Sequence, residues 1–577
     1  MYNANRRNMY AIIMTIFLLA FVLLLFEKLD RKQIEERLEE KIELLGTEEF
    51  QLSLWKSDIR TEEGQDIEIK WWYNDLNSTY YFFLPSGTDC YFSYVFNKYD
   101  SILIDGERIV PGDAFCIQEG LHQIQLDSGE QIPLEVMRSE NVNTMFMVTD
   151  SRDLSAIHES KQNSDTGSYI LLDQEGIVNC SGVLTTIRGR GNMTFDAADK
   201  KSYAIRMEEK TAVLDLGIAK SWSLLANAFD ESLARNQLVT QIAKSMDMTY
   251  VPDMDYVDLY INGEYQGNYQ LAEKVEISDE RLNIRNLEKE MEALNPDLDF
   301  NLMESIEEPI DEFPAIKWVE GIQTPHNYES GYLLELEMTY RYYEEKCGFI
   351  SARKQPVVVK SPECVSFQQA YYLANKYQDL EDALCSAYGY NEETEMYYYD
   401  YLDMHSFAQK YLIDEISKNL DAAITSFFLY IPEHDDRFYA GPIWDYDRTF
   451  GVDFERSGVD LKDPCTLYVS ENIYFEQADV NIFYLLCLQE EFQNLYKTMY
   501  FEGVRDAVAS IAETYVDENA ARIENSAMMD AIRCNSLSSG TDVEANREEY
   551  YRYNEEIRTF MEKRIEFLDG EWNKISE

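Results

Sequence analysis

Two aspartates lie two positions apart in Ile443-Trp444-Asp445-Tyr446-Asp447-Arg448-Thr449-Phe450-Gly451. A third, Asp421, closes Ser417-Lys418-Asn419-Leu420-Asp421 upstream. If Ile443 to Asp447 is a strand, side chains at i and i+2 share a face. Asp445 and Asp447 then converge on one point. Close carboxylates persist inside a protein only with a cation or a shared proton. Mg2+, held by one or two carboxylates plus phosphate oxygens, meets that need. The plainer alternative is a strand end with both acids facing water.

The elements that must position these residues can be read from pattern. Helical spacing over Met404 to Leu420 delivers Asp421, and Phe427-Phe428-Leu429-Tyr430 reads as the strand that follows. A second helix spans Ser366 to Ala387, and the stretch from about Ile482 to Trp572 is helical apart from a loop at Cys534 to Gly540. Gly182 to Ile187 reads as a strand running into Arg188-Gly189-Arg190-Gly191-Asn192, with Lys201 to Met207 as the next strand. Ser232 to Met246 has helical spacing. Val257 to Ile261 and Tyr269 to Ala272 flank the turn Asn262-Gly263, a strong hairpin signal.

At 577 residues the chain exceeds one core. Residues 1–27 carry the apolar run Met9 to Phe26, long enough to span a membrane and without a small-residue cleavage site. An uncleaved, single-pass signal anchor is expected. Arg6 and Arg7 favour a cytoplasmic N-terminus, with the bulk of the chain outside a bacterial cytoplasm. Residues 28–48 read as a charged stalk and 49–140 as a β-rich, sandwich-like module with turns at Pro85-Ser86-Gly87 and Asp105-Gly106. Residues 141–577 form the remaining domain. It divides into a β-rich lobe over about 141–276, an irregular acidic insertion over about 277–330 and a helical lobe over about 331–577.

Basic residues number 51 and acidic residues 107, a formal charge of −56. Such a surface repels nucleic acid, which is excluded as a partner. The 42 tyrosines rule out a disordered acidic chain. Nine scattered cysteines form no CxxC pair, which argues against zinc; one bridge, Cys90 to Cys116, is conceivable. The five histidines, His122, His158, His326, His405 and His434, have no ligand spacing.

Several stretches converge on one family. Arg188-Gly189-Arg190-Gly191-Asn192-Met193-Thr194-Phe195 with Lys200-Lys201-Ser202-Tyr203-Ala204-Ile205-Arg206 resembles the signature of the CotH spore-coat kinase family. So do Trp222-Ser223-Leu224-Leu225-Ala226-Asn227, Asp230, Ser232-Leu233-Ala234-Arg235-Asn236, Leu259 to Gly267, Glu273-Lys274-Val275, Asp421 and Trp444 to Asp447. The resemblance covers roughly residues 145 to 455. It implies a protein-kinase-like, two-lobed α+β fold and an atypical kinase that transfers the ATP γ-phosphoryl to protein serines with Mg2+ or Mn2+.

Phosphoryl transfer needs positioning and charge neutralisation more than covalent help. On the resemblance, Asp421 orients the substrate hydroxyl. Asp445 is the main metal ligand, and Asp447 is a second ligand or orients the first. Ser426 stands five residues after Asp421, where the family more often has Asn, and offers a weaker oxygen ligand. Arg188, Arg190, Gly191 and Asn192 could approach phosphates, the glycines removing Cβ obstacles. Arg206 and Lys201 compete for the phosphate-binding position. They stand five positions apart, an odd number, so a regular strand points only one into a cleft, and Arg206 is favoured. Glu273 ends a strand where a kinase hinge meets adenine. Asp230, Arg235 and Asn236 match the family motif, with a helix N-terminus held by Asp230 or Ser232 as the alternative.

The expected partner is a protein substrate, with basic Ser/Lys-rich chains suggested by the −56 charge. Two other readings stay open. One is a weak or inactive surface-binding protein on the same fold. The other is a carbohydrate-active enzyme using Asp445 or Asp447 with another carboxylate.

Overall fold

The computed structural model describes residues 32, 35–46, 49–60, 66–308, 315–456, 458–471 and 478–573. The apolar run Met9–Phe26 and the start of the stalk lie outside these. Among the described residues no helix is long and apolar enough to cross a membrane. The described chain is mixed α+β and forms two compact units. One takes the chain as far as Arg152 together with Ser168–Gly182 and Asp258–Gln266. The other comprises Asp153–Gly167, Val183–Val257 and Gly267–Glu577.

In the first unit, Leu52–Arg60, Asp66–Lys70, Tyr91–Phe96 and Ala114–Cys116 make a four-stranded sheet, and six further strands make a second. Along Gln131–Arg138 the residues Ile132, Leu134 and Val136 are buried while Gln131, Pro133 and Glu135 are not, the alternation of a sheet with one covered face. Cys90 and Cys116 form a disulfide. This unit does not end at the boundary expected near residue 140. Asn262 and Gly263 both take positive φ, 54° and 85°, as the two-residue hairpin turn requires. The Gly263 carbonyl accepts from Lys70 N at 2.8 Å and Asn262 Oδ1 from Thr149 N at 2.9 Å. Those bonds fix the tip of a distant hairpin to the N-terminal strands.

Strands β1 (Val178–Arg190), β2 (Ser202–Ala212), β3 (Ile218–Leu225) and β4 (Glu264–Glu273), each antiparallel to the next, lie for the most part in the second unit. Helix α1 (Arg235–Ser245) lies between β3 and β4 in sequence. The segment 277–330 is not irregular throughout. It contains helix α2 (Leu287–Leu294) and strands β5 (Ser305–Glu308) and β6 (Ala315–Val319). Ala-Ile-Lys-Trp-Val is itself a strand pattern, and its Ile316, Trp318 and Val319 are buried in the main core.

Strands β7 (Tyr332–Leu336), β8 (Gly348–Ile350), β9 (Pro356–Ser361), β10 (Phe427–Ile431) and β11 (Tyr439–Ala440) complete a seven-stranded antiparallel sheet in the order β5-β6-β8-β9-β7-β10-β11. Helices α3 (Phe367–Cys385), α4 (Met404–Ser417), α5 (Val516–Cys534) and α6 (Val543–Trp572) follow the expected pattern. Ser366 and Gln369 close a capping box that starts α3.

Helix α4 is buried on nearly every side and shares one core with β7, β9 and β10. Asp403 caps its N-terminus by accepting from Ser406 N at 2.9 Å. Lys418 ends it in the left-handed conformation at φ 48°. Its inward acids must therefore be paired. Glu415 accepts from Tyr468 N, Val469 N and Ser470 N and meets Arg564 at 2.6 Å, with both side chains of that ion pair fully buried. Arg564→Met strands this carboxylate, at an expected cost of about 3–5 kcal/mol to folding. Denaturant titration checks it, and a variant as stable as the wild type refutes the pairing.

Candidate active site

A cleft of about 1080 Å³ runs through the second unit. Strand pairing builds one wall. Arg188 lies opposite Ala204, Arg190 opposite Ser202 and Thr186 opposite Arg206, while Arg206 also faces Ser221 and Ala204 faces Ser223. Cross-strand partners share a face, and all of these side chains line the cleft. The facing wall carries Asp421, Thr425, Ser426, Trp444, Asp445 and Asp447. The three aspartates separated in sequence thus share one cleft with Arg188, Arg190 and Arg206.

Two residues named as contacts lie off it. The Lys201 ammonium donates to the Phe195 and Ala198 carbonyls at 2.6 and 2.7 Å and so ties down the turn at Met193–Ala197. Strand parity excludes it from the face that holds Arg206. Glu273 pairs with Trp222 on the opposite face of β3, where Asp253 N and Tyr250 OH donate to it at 2.9 and 3.2 Å. Lys274, Val275, Glu276 and Ile277, just beyond it, line the cleft instead.

The glycines of Arg188-Gly189-Arg190-Gly191 serve the protein's own packing. A Cβ on Gly189 would stand 2.2 Å from the Phe195 ring, and Gly191 turns the chain at φ 94°. Asn192 then begins the Met193–Ala197 turn, its carbonyl accepting from Asp196 N at 3.1 Å.

Ile443 to Asp447 is a loop rather than a strand. Asp445 takes φ 66°, which breaks the i, i+2 alternation. Tertiary bonds impose this shape. Tyr446 N donates to Asn236 Oδ1 at 2.9 Å, Arg235 Nε to Thr449 O at 2.8 Å and Phe450 N to Ser417 O at 2.8 Å. Asp230 in turn holds Arg235 at 2.5 Å. Ser426, itself at φ 54°, donates its hydroxyl to Asp445 Oδ2 at 3.5 Å, a long contact.

Electrostatics tie the acids together. Asp445 opens to the cleft, yet the walls exclude enough water to push its carboxyl up, opposed by Arg190, the Ser426 hydroxyl and Arg448. Asp447 rises well above the usual range through desolvation and then the charges of Asp445, Asp421 and Asp230. Burial lowers the Arg190 guanidinium, opposed by Asp445, Asp447 and Glu335. Arg190 also stacks over Trp444 at 5.2 Å. Crowded acids with too little positive charge favour a divalent cation. Among the described residues no three His, Cys, Asp or Glu side chains converge to hold a metal by themselves. The donor set therefore fits Mg2+ or Mn2+ completed by phosphate oxygens or water, and does not fit a closed protein cage.

The model of the family described as CotH kinase protein matches residues 187–568, well over half of the chain. The chain belongs to the CotH kinase protein family. No curated protein matches it.

Within this CotH-family site, sequence reading missed Asp414. It accepts from Lys410 at 2.5 Å, Tyr446 OH at 2.7 Å and Asn419 Nδ2 at 3.1 Å, while Asn419 Oδ1 accepts from Asp421 N at 3.2 Å. Asp414 thus fixes the loop of Asp421 and the loop of Asp445 to one point on α4. Its place one helical turn before Lys418, inside an apolar run, was the available signal. Glu337 was also missed; it accepts from Thr425 Oγ1 at 2.9 Å beside Asp421.

Proposed function

We propose that this CotH-family protein is a Mg2+- or Mn2+-dependent protein serine kinase using ATP. The observation that carries the reading is the meeting of Asp421, Asp445 and Asp447 with Arg188, Arg190 and Arg206 in one cleft. Bound Mg·ATP would supply the transferable phosphoryl group and the cation that offsets its charge. Asp445 would hold the cation, with Asp447 as a second ligand or an orienting group and Ser426 as a neutral oxygen. Arg188, Arg190 and Arg206 bind phosphate oxygens through forked donors. Asp421 accepts a hydrogen bond from the substrate hydroxyl and takes its proton as the oxygen attacks the γ-phosphorus, whose bond to the β,γ-bridging oxygen breaks so that ADP leaves. In this reading the strand wall and the helical wall act as the two lobes of a kinase-like fold.

The protein substrate is read as basic and Ser/Lys-rich. The −56 charge supports that choice. The apolar run Met9–Phe26 supports reading the protein as membrane-anchored, with its bulk outside the cytoplasm. The Cys90–Cys116 disulfide supports an oxidising compartment.

Thermal denaturation of the full chain tests nucleotide binding. Tm should rise with ATP plus Mg2+ or Mn2+ and not with ATP plus chelator. No rise with any divalent cation rejects the kinase reading.

A further inference from the structure

Asn227 stands two residues beyond the end of β3 and lines the same cleft. It is 7% exposed, and among the described residues neither its Oδ1 nor its Nδ2 has a hydrogen-bond partner. Buried amides are almost always paired, and an unpaired one is costly. The surroundings say what would pair it. Ala226 N donates to Ser202 Oγ at 3.0 Å, and Ser202 is the cross-strand partner of Arg190. On the other side Asp230 N closes a turn onto Asn227 O at 3.0 Å. Asp230 is the residue that holds Arg235, and through it the carbonyl of Thr449 beside Asp447. The amide therefore stands between the Arg190 strand and the loop of the two aspartates.

Resting on the reading of the cleft as a nucleotide site, we propose that Asn227 binds the metal–polyphosphate end of the nucleotide. A free anion would satisfy only the amide donor, and a free cation only its oxygen. A phosphate bound to a divalent cation satisfies both. Nδ2 donates to a phosphate oxygen, and Oδ1 faces the cation or a water on it.

Two substitutions test this in the full chain. Asn227 has φ 50°, so Asn227→Gly removes the amide while keeping a residue that accepts that conformation. Binding of Mg·ATP and of Mg·tripolyphosphate should weaken by about tenfold or more, with adenosine binding and Tm unchanged. Asn227→Asp keeps an oxygen and loses the donor. It should weaken Mg·tripolyphosphate while Mn2+ alone binds as well as, or better than, to the wild type. If the wild type binds Mg·ATP and both variants match it, the inference alone is overturned. A wild type that binds neither Mg·ATP nor Mg·tripolyphosphate overturns both the inference and the nucleotide reading beneath it.

Discussion

Asp421→Asn should bind Mg·ATP as tightly as the wild type and transfer phosphate roughly 10³-fold more slowly. The substitution keeps the shape of the side chain and removes its charge and its capacity to take a proton. The surrounding loop should survive, because backbone groups hold it. Asp421 O accepts from Ile424 N at 3.0 Å and Thr425 N at 3.3 Å, and Leu420 N donates to Arg448 O at 3.3 Å. Tyr468 OH adds a bond to Leu420 O at 2.9 Å. Asparagine at 421 also lightens the negative charge that raises Asp447, so cation binding should not improve. Single-turnover phosphate incorporation, set beside nucleotide titration, separates the two effects. Equal transfer rates in variant and wild type would remove Asp421 from the chemistry.

Asp445→Ala should act on the other half of the cycle. Removing an outer partner of a metal ligand commonly lowers metal affinity 10–100-fold, so losing the ligand itself should cost about 100-fold or more in Mg·ATP affinity. Fold stability should change little with it. Loss of Asp445 relieves its repulsion of Asp447, while alanine at φ 66° and one fewer counter-charge for Arg190 act the other way, so Tm without nucleotide should stay close to that of the wild type. A variant with lower Tm and unchanged Mg·ATP affinity would mark Asp445 as a structural residue.

Much of this site was legible because local rules govern the elements that carry it. Helix α4 and strand β10 frame Asp421 where apolar periodicity puts them, and strand parity allowed only one of Lys201 and Arg206 to face the cleft. The hairpin at Asn262-Gly263 was equally plain, since a two-residue turn of that type needs two positive φ angles.

The Asp445 loop was not legible. Its backbone is set by bonds to Asn236, Arg235 and Ser417, which no window of neighbouring residues expresses. The packing duty of the glycines beside Arg190 was equally hidden: Gly189 makes room for the Phe195 ring and Gly191 turns the chain, while both line the cleft. Glu273 was read by its position in a motif as the end of a hinge strand meeting adenine through backbone groups; its side chain lies on the far face opposite Trp222, and Lys274 to Ile277 just beyond it line the cleft. The strands at Ser305–Glu308 and Ala315–Val319 were hidden by acidic surroundings, although the second is apolar enough to enter the core.

The most direct measurement of the central claim is phosphate transfer by the purified full chain. ATP labelled in the γ-phosphoryl group, Mg2+ or Mn2+ and a basic serine-containing protein would be supplied, and phosphoserine read by mass spectrometry. The expected result is metal-dependent phosphoserine with the wild type and almost none with Asp421→Asn or Asp445→Ala. Mg·ATP binding without any phosphoserine, or label transferred equally by Asp421→Asn, would contradict the assignment of this cleft as a kinase active site.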